Sequence, residues 1–340
     1  MFSLGIGLAS KNLKGDVLDV FYPLVQLDPS KALADALTLE HPVLATADFV
    51  EVSLDALEPL SVHLPEIETI QALASKRANP NSVSLLVTLL ADDTAVRSTP
   101  GAYLKLHLLS LRMVRPNSMN LEGIYANLPN VAWSAEGPID LSELSEQQLK
   151  ARLEGRTLDI LSVDKFPKMT NYVVPSGVRI ADAARVRLGA YVGDGTTVMH
   201  EGFINFNAGA EGPNMVEGRI SQGVFVAKGS DLGGSASTAG TLSGGGNLVI
   251  SIGEDCLISA NAGTGISLGD RCTIEAGLYI TPGTVIEVLD DALAPVKKVK
   301  ARELNGQSDL LFIRHSQTGQ VQCRTNKKAI VLNEMLHSHN

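Results

Sequence analysis

The sequence predicts an α/β domain followed by a parallel β-solenoid with a small C-terminal cap, and three observations carry that reading. From Val174 an aliphatic residue recurs at every sixth position, through Ile180, Val186, Val192, Val198 and Ile204. The step restarts at Ile220, Val226 and Leu232, again at Ile252 and Ile258, and last at Leu268, Ile274, Ile280 and Ile286. Over the same stretch lie 22 of the 31 glycines, from Gly177 to Gly283, in a chain with only 4% aromatic residues. An amphipathic helix needs spacings of three and four and a lone strand needs two, so a step of six implies short strands with a bend after each. Small residues two positions ahead of the aliphatic one (Ala184, Ala190, Thr196, Gly202, Gly218) share its inward face, because side chains alternate along a strand. Three such units close a triangular coil, and stacked coils pair their strands in parallel.

Before the repeat, residues 1–165 show no sixfold step. Asp16–Leu27 and Val83–Leu90 are β-like apolar runs, and Glu66–Lys76 and Ala102–Val114 carry helical spacing. Ser145 and Gln148 have the spacing of a capping box, opening a short helix through Leu149 and Leu153 toward Gly155. The lone Trp133 fits a core or an interface. The solenoid is expected over 166–295. Its register breaks between Ile204 and Ile220 and between Leu232 and Ile252, where neither gap is a multiple of six. Two inserted loops are therefore expected, one over 205–218 and one over 233–248, as candidate walls of a binding site. After it, 296–340 carries four cations from Lys297 to Arg302, two short strands at Asp309–Arg314 and Gly319–Arg324, and a tail expected to close the open end of the last coil.

Composition narrows the function classes. With 28 basic against 37 acidic residues the net charge is −9, which disfavours a protein bound mainly through nucleic-acid phosphates. The chain opens without a basic stretch ahead of an apolar run, and no apolar run reaches the ~20 residues of a membrane span. Three cysteines, Cys256, Cys272 and Cys323, form neither a disulfide framework nor a CxxC pair. A cytoplasmic protein without a membrane or nucleic-acid partner is expected. A zinc site of three imidazoles finds only His200 within the repeat, since the other six histidines stand at 41, 63, 107, 315, 337 and 339. In MHEGFINFN, Val198 points inward and His200 and Glu201 occupy the bend after it. From there His200 can act as a general base, or Glu201 can accept an acyl group or a proton.

The six-residue step resembles the hexapeptide pattern of the left-handed parallel β-helix, and the left hand and a homotrimer are what that resemblance implies. The stretch VPSGVRIADAARVRLGAYVGDGTTVMHEGFINFNAG, with MVEGRIS, GTLSGGG, ISLGDRC and EAGLYITPGT after it, is more specific. Over residues 159–335 the chain resembles the tetrahydrodipicolinate N-succinyltransferases, in the longer form of actinobacteria and some pseudomonads. The resemblance is looser over the N-terminal domain. It implies succinyl transfer from succinyl-CoA to the amine of L-2-amino-6-oxopimelate, in diaminopimelate and lysine biosynthesis, at sites between subunits.

The same resemblance implies Glu201 as the acyl-anhydride nucleophile and Gly223 beside the acyl carbonyl. It places Gly218, Ser221 and the Gly244 region at the coenzyme, and for some members it implies a Mg2+ on the trimer axis. For these anionic ligands, Arg179, Arg185, Arg187 and Arg219 are candidates for the acceptor's carboxylates, since guanidinium pairs with them bidentately. Lys297 and Lys298, with Lys300 and Arg302, are candidates for the coenzyme phosphates. The glycine-rich turns at Gly223 and Gly244–Gly246 can offer backbone N–H groups to an oxyanion, and the two expected loops can shield a mixed anhydride from water. Whether Glu201 forms an anhydride or serves as a general base stays open, as does another CoA-dependent acyl transfer with His200 as base. A non-catalytic scaffold is the third possibility, against which the HEG corner and the glycine-rich segments speak.

Overall fold

A computed structural model describes residues 2–62, 64–74, 84–240 and 249–326. The chain divides into two units, Met1–Leu108 with Met119–Pro167, and Leu109–Ser118 with Lys168–Asn340. The step into the solenoid thus falls just past the expected boundary at 165. The return of Leu109–Ser118 to the second unit is announced by no spacing in the sequence.

In the first unit a four-stranded antiparallel sheet has the order Val17–Leu27, Ser3–Lys11, Ser84–Leu90, Phe49–Glu51. Leu4, Ile6, Leu24, Leu85, Val87 and Leu89 bury one face of it with Leu33 and Leu37 of the helix Lys31–Glu40 and Ile67 of the helix Glu66–Ala74. Ser30 caps the first of these helices, its hydroxyl accepting from the Leu33 N–H at 3.2 Å. A smaller antiparallel sheet, Gly137–Asp140, Val131–Ser134 and Ile160–Asp164, carries the helix Leu144–Leu153. Ser145 lies inside that helix, whose N-cap is Glu143 without a side-chain bond, so the expected capping box does not form. Gly155 ends it as expected, with φ at +75°. Trp133 is a core residue of this sheet, its indole N–H donating to the Asp164 carbonyl at 2.9 Å.

The helix Thr99–Ser110 holds three buried ionisable side chains, Tyr103, Lys105 and His107. His107 donates from Nδ1 to the Tyr103 carbonyl at 2.7 Å and accepts the Tyr22 N–H at Nε2. Burial pushes its pKa down to about 4, so it is neutral in the fold. The unfolded chain takes up this proton near pH 6.5. The associated stability is therefore complete above about 6.5 and is lost as pH falls toward 4, by about 3 kcal/mol in all. Urea unfolding followed by Trp133 fluorescence should show this slope between pH 6.5 and 4, and His107→Gln should flatten it.

The second unit is a three-sided parallel β-helix. On its first face stand Arg179–Ile180, Thr197–Val198, Met215–Val216, Asp231–Leu232, Leu257–Ile258, Thr273–Ile274 and Leu310–Arg314. On the second stand Phe203–Ile204, Arg219–Ile220, Ser237–Thr238, Gly263–Thr264 and Tyr279–Ile280, with Val186 bridged to Ile204 above them. The third holds Ala190–Val192, Ala208–Ala210, Phe225–Val226 and Ser251–Ile252, with Leu268 bridged below. The aliphatic column forms the buried interior, filled mainly by branched side chains, with the rings of Phe206 and Phe312 also fully buried. Where the chain bends, buried polar groups take up backbone N–H and C=O groups that no strand pairs. Asn214 donates to the carbonyls of Ala227 and Ser230, and Ser230 Oγ bonds the Gly253 carbonyl and the Cys256 N–H. All three cysteines are buried and free.

The expected loop over 205–218 is not a loop. The sixfold step continues through Ala210 and Val216, in the strands Ala208–Ala210 and Met215–Val216. The break comes from one short corner. Val216 to Ile220 takes four residues, and Ile204 therefore pairs with Ile220 across sixteen positions, where Val198 pairs with Val216 across eighteen. Thr264 to Leu268 is a second four-residue corner. In the second gap, Thr238 continues the step, and the extra residues enter between Thr238 and Ile252. Residues 241–248, half of the expected second loop, lie outside the described residues, as does 327–340, the expected closing tail. As far as it is described, the C-terminal segment extends the first face. Leu310–Arg314 pairs in parallel with Thr273–Ile274, and Val321–Thr325, Val285–Leu289 and Pro295–Lys300 follow in the same sheet.

Candidate active site

The MHEG segment forms the corner between the first and second faces. Val198 ends its strand inside the prism, Gly202 N–H donates back to the Met199 carbonyl at 2.9 Å, and Phe203 starts the next strand. The chain can turn this tightly because Gly202 has no side chain. A Cβ there would stand 2.2 Å from the Val216 carbonyl oxygen of the next coil. That next coil turns at the short corner Glu217–Gly218, where the Gly218 carbonyl accepts the Phe203 N–H at 3.0 Å. A Cβ on Gly218 would lie 2.4 Å from the Ala236 carbonyl, so the second short turn also depends on glycine. His200 and Glu201 are exposed at the tip, and among the described residues neither side chain has a hydrogen bond or an ion pair. Among the described residues no second group orients His200, as an imidazole used as a base requires.

The outer surface of the second face is cationic. Arg185, Phe203, Arg219 and Ser237 occupy equivalent positions on successive coils, with Arg187, Asn205 and Ser221 two residues further along. Arg187 Nη1 donates to Asn205 Oδ1 at 3.1 Å, and Arg219 Nε donates to Ser237 Oγ at 2.9 Å. Among the described residues the two terminal nitrogens of Arg219 make no hydrogen bond. Ser221 is anchored at both ends, its Oγ donating to the Thr238 carbonyl and its N–H to Thr238 Oγ1. Three of the four candidate arginines are thus brought to one face beside Glu201, while Arg179 stands on the first face.

Gly223 lies at the opposite edge of that face, in the corner that follows Arg219–Ile220. Its φ is +83°, which a side chain would strain. Its N–H donates to the Asn207 carbonyl at 2.9 Å, so that donor is already engaged and unavailable to an oxyanion in this arrangement. Its own carbonyl accepts from Asn117 Nδ2 at 2.8 Å, and Asn117 also bonds Asn207. Asn207 and Glu201 are six residues apart along one coil, roughly 20 Å at about 3.3 Å per strand residue. One chain therefore does not bring Glu201 and Gly223 together.

Lys297 and Lys298 are exposed on Pro295–Lys300, at one end of the ten-stranded sheet, with Lys298 3.8 Å from Glu287. The strand leading into the Glu201 corner is the ninth in that order. At about 4.8 Å per strand the separation along the sheet is roughly 40 Å, so the structure does not assemble these lysines with Glu201 in one chain. Gly244 lies outside the described residues. Among the described residues no group of three or more His, Cys, Asp or Glu side chains can hold a metal ion. The Mg2+ implied by the resemblance thus finds no ligand set among the described residues of one chain.

Comparison with known proteins fits this geometry. Three family descriptions match, "Tetrahydrodipicolinate N-succinyltransferase N-terminal" over residues 31–126, "Tetrahydrodipicolinate N-succinyltransferase middle" over 128–168, and "Hexapeptide repeat of succinyl-transferase" over 249–282. The 2,3,4,5-tetrahydropyridine-2,6-dicarboxylate N-succinyltransferase of Pseudomonas paraeruginosa is 58% identical over 100% of this chain and 99% of its own length. The chain belongs to the tetrahydrodipicolinate N-succinyltransferase family. The enzyme of the same name from Vibrio cholerae is 52% identical, again over 100% of this chain and 99% of its own. A solved Campylobacter jejuni structure, described as a 2,3,4,5-tetrahydropyridine-2-carboxylate N-succinyltransferase, superposes with a TM-score of 0.85 at 31% identity. It covers 96% of this chain and 93% of that one. The repeat match and this neighbour support the left-handed sense of the helix. Membership in the family extends through the N-terminal region, where the motifs alone gave a looser likeness.

Several residues of the site surface were not singled out by the sequence. Phe203 sits inside the quoted motif, yet its place between Arg185 and Arg187, each 5.9 Å from its ring centroid, follows only from the stacking of coils. Asn117 and Thr238 carry no signal in the sequence, because their partners are distant along the chain.

Proposed function

We propose that this protein transfers the succinyl group of succinyl-CoA to the amine of L-2-amino-6-oxopimelate, in diaminopimelate and lysine biosynthesis, with Glu201 as the reacting carboxylate. The observation that carries this reading is the unpartnered, exposed Glu201 at a corner held by glycine, beside a cationic face, in a chain with full-length likeness to enzymes of that name. In the anhydride route a Glu201 oxygen attacks the thioester carbonyl carbon, the C–S bond breaks, and coenzyme A leaves as a thiolate that takes a proton from solvent. The neutral amine then attacks the anhydride carbonyl, the C–O bond to Glu201 breaks, and the nitrogen gives its extra proton to solvent. In the general-base route Glu201 takes that proton during direct attack on the thioester.

The active assembly is a homotrimer, with each site formed where the Glu201 corner of one subunit meets the Gly223 edge of its neighbour. This is supported by the distance that one chain leaves between those two corners. The free terminal nitrogens of Arg219 suit an acceptor carboxylate. Arg219→Gln should raise KM for the acceptor by about 10- to 100-fold, as loss of a charged hydrogen bond predicts, while KM for succinyl-CoA stays within twofold. Initial rates with each substrate varied in turn decide this.

The activity itself is tested by following free thiol with the purified protein, 2-aminopimelate, and either succinyl-CoA or acetyl-CoA. Thiol release that depends on both succinyl-CoA and the acceptor supports the reading. Release only with acetyl-CoA, or none, overturns it.

A further inference from the structure

Arg185 uses its guanidinium differently from the other arginines of the second face. It ends the short 3-10 turn Ala183–Arg185, which Asp182 caps by accepting the Ala184 N–H at 3.0 Å. From there it reaches the corner of the next coil, where Nη2 donates to the Glu201 carbonyl at 2.8 Å and Nε to the Gly202 carbonyl at a longer 3.4 Å. Its plane lies over the Phe203 ring, 5.9 Å from the centroid. Three successive residues of the corner, Glu201, Gly202 and Phe203, are thus gripped by one side chain from the coil before. At the equivalent position two coils later, Arg219 instead bonds Ser237 Oγ and clamps no turn. The Nε–Nη2 edge of Arg185, which would receive a carboxylate side-on, is turned onto main-chain carbonyls.

We propose that Arg185 is a positioning residue for the Glu201 turn and not a ligand of the acceptor's carboxylates. The proposal rests on Glu201 being the reacting carboxylate. The turn's backbone is fixed by the Gly202–Met199 bond, by the Phe203–Gly218 bond and by Arg185, and among the described residues the exposed Glu201 side chain has no bond that would orient it, so its placement depends on that backbone. Of these anchors only Arg185 is a side chain that can be changed without altering the turn's own residues. Its loss frees the Glu201 peptide carbonyl to tilt, and displacement of a reacting group by about 1 Å can cost about a hundredfold in rate.

The test is steady-state kinetics of Arg185→Gln and Arg185→Lys on the assembled protein, with Glu201→Gln alongside. Arg185→Gln should lower kcat by about 10- to 100-fold and leave KM for both 2-aminopimelate and succinyl-CoA within twofold. Arg185→Lys, which retains a charged donor for the Glu201 carbonyl, should recover part of that loss. A tenfold or greater rise in acceptor KM in either variant, or an unchanged kcat in Arg185→Gln, overturns the positioning role. If Arg185→Gln does not assemble, Arg185→Lys is judged alone: a fall in kcat at unchanged KM supports the role, and an unchanged kcat overturns it. A dead Glu201→Gln beside a fully active Arg185→Gln removes only this inference, whereas a fully active Glu201→Gln removes the reading beneath it.

Discussion

Replacing Glu201 by alanine should lower succinyl-dependent thiol release by about a thousandfold or more, which corresponds to about 4 kcal/mol of lost transition-state stabilisation. The size follows from chemistry that no neighbour can take over. Among the described residues the only other titratable side chain at the tip of this corner is His200, and nothing there orients it. The fold should be unaffected, because Glu201 is exposed and the turn is held by Gly202, Arg185 and the Phe203 N–H. Circular dichroism and the elution volume of the variant check that the solenoid and its assembly persist. His200→Ala should retain most of the activity. If it proved the more damaging change, acyl transfer with an imidazole base would replace the carboxylate mechanism.

The largest expected effect on stability lies in the other unit. Lys105 is 2% exposed, and its ammonium group donates to Asp93 Oδ1 at 2.7 Å, the Thr94 carbonyl at 2.7 Å and the Asn120 carbonyl at 2.6 Å. Its three protons thus have three acceptors. Asp93 also accepts the Asn120 N–H, so the ammonium and carboxylate together tie the helix Thr99–Ser110 to two loops. Removing one partner of such a buried pair costs about 3–5 kcal/mol. The value for Lys105→Ala should sit near the lower end, because Asp93 is partly exposed and can regain water. Lys105→Met keeps the apolar stem but strands the same acceptors, and should be destabilised almost as much. For a unit of this size each kcal/mol lowers the melting midpoint by about 2–4 °C, so thermal unfolding of Lys105→Ala read at Trp133 should shift down by about 6–12 °C.

The solenoid was legible in the sequence because its physics repeats. Most column positions bury a branched aliphatic residue, and Val198, Ile204, Ile220, Val226 and Ile258 all fall in the interior column that the step of six names. The misreading of 205–218 has a definite cause. Ala210 holds an aliphatic position with too small a side chain to register, and the corner Glu217–Gly218 drops two residues, so a continuous solenoid imitates an insertion. Glycine hid the first strand in a similar way. In Ser3–Lys11, Leu4, Ile6 and Leu8 alternate, but Gly5 and Gly7 stand between them where a Cβ would come within 2.7 Å of the Tyr22 ring. The glycines clear room for a ring from the neighbouring strand, and nothing local indicates that.

Of the site, the reacting corner could be read because its residues are contiguous. The neighbours that organise it could not. Arg185 was legible as a cation near the motif, but its engagement with the Glu201 and Gly202 carbonyls depends on the seventeen-residue offset to Gly202 that the coil length creates. Lys297 and Lys298 looked suited to phosphates by composition alone, and the strand order places them far along the prism.

The claim that Glu201 and Gly223 meet only between subunits is tested most directly by mixing two inactive variants. Glu201→Ala and Gly223→Ala chains, each inactive alone, are unfolded together, refolded, and assayed for succinyl-dependent thiol release. In a randomly mixed trimer about one interface in four joins an intact Glu201 to an intact neighbouring Gly223, so about a quarter of the unmutated activity should return. If mixed assemblies form and no activity returns, each site is complete within one chain and the account is wrong.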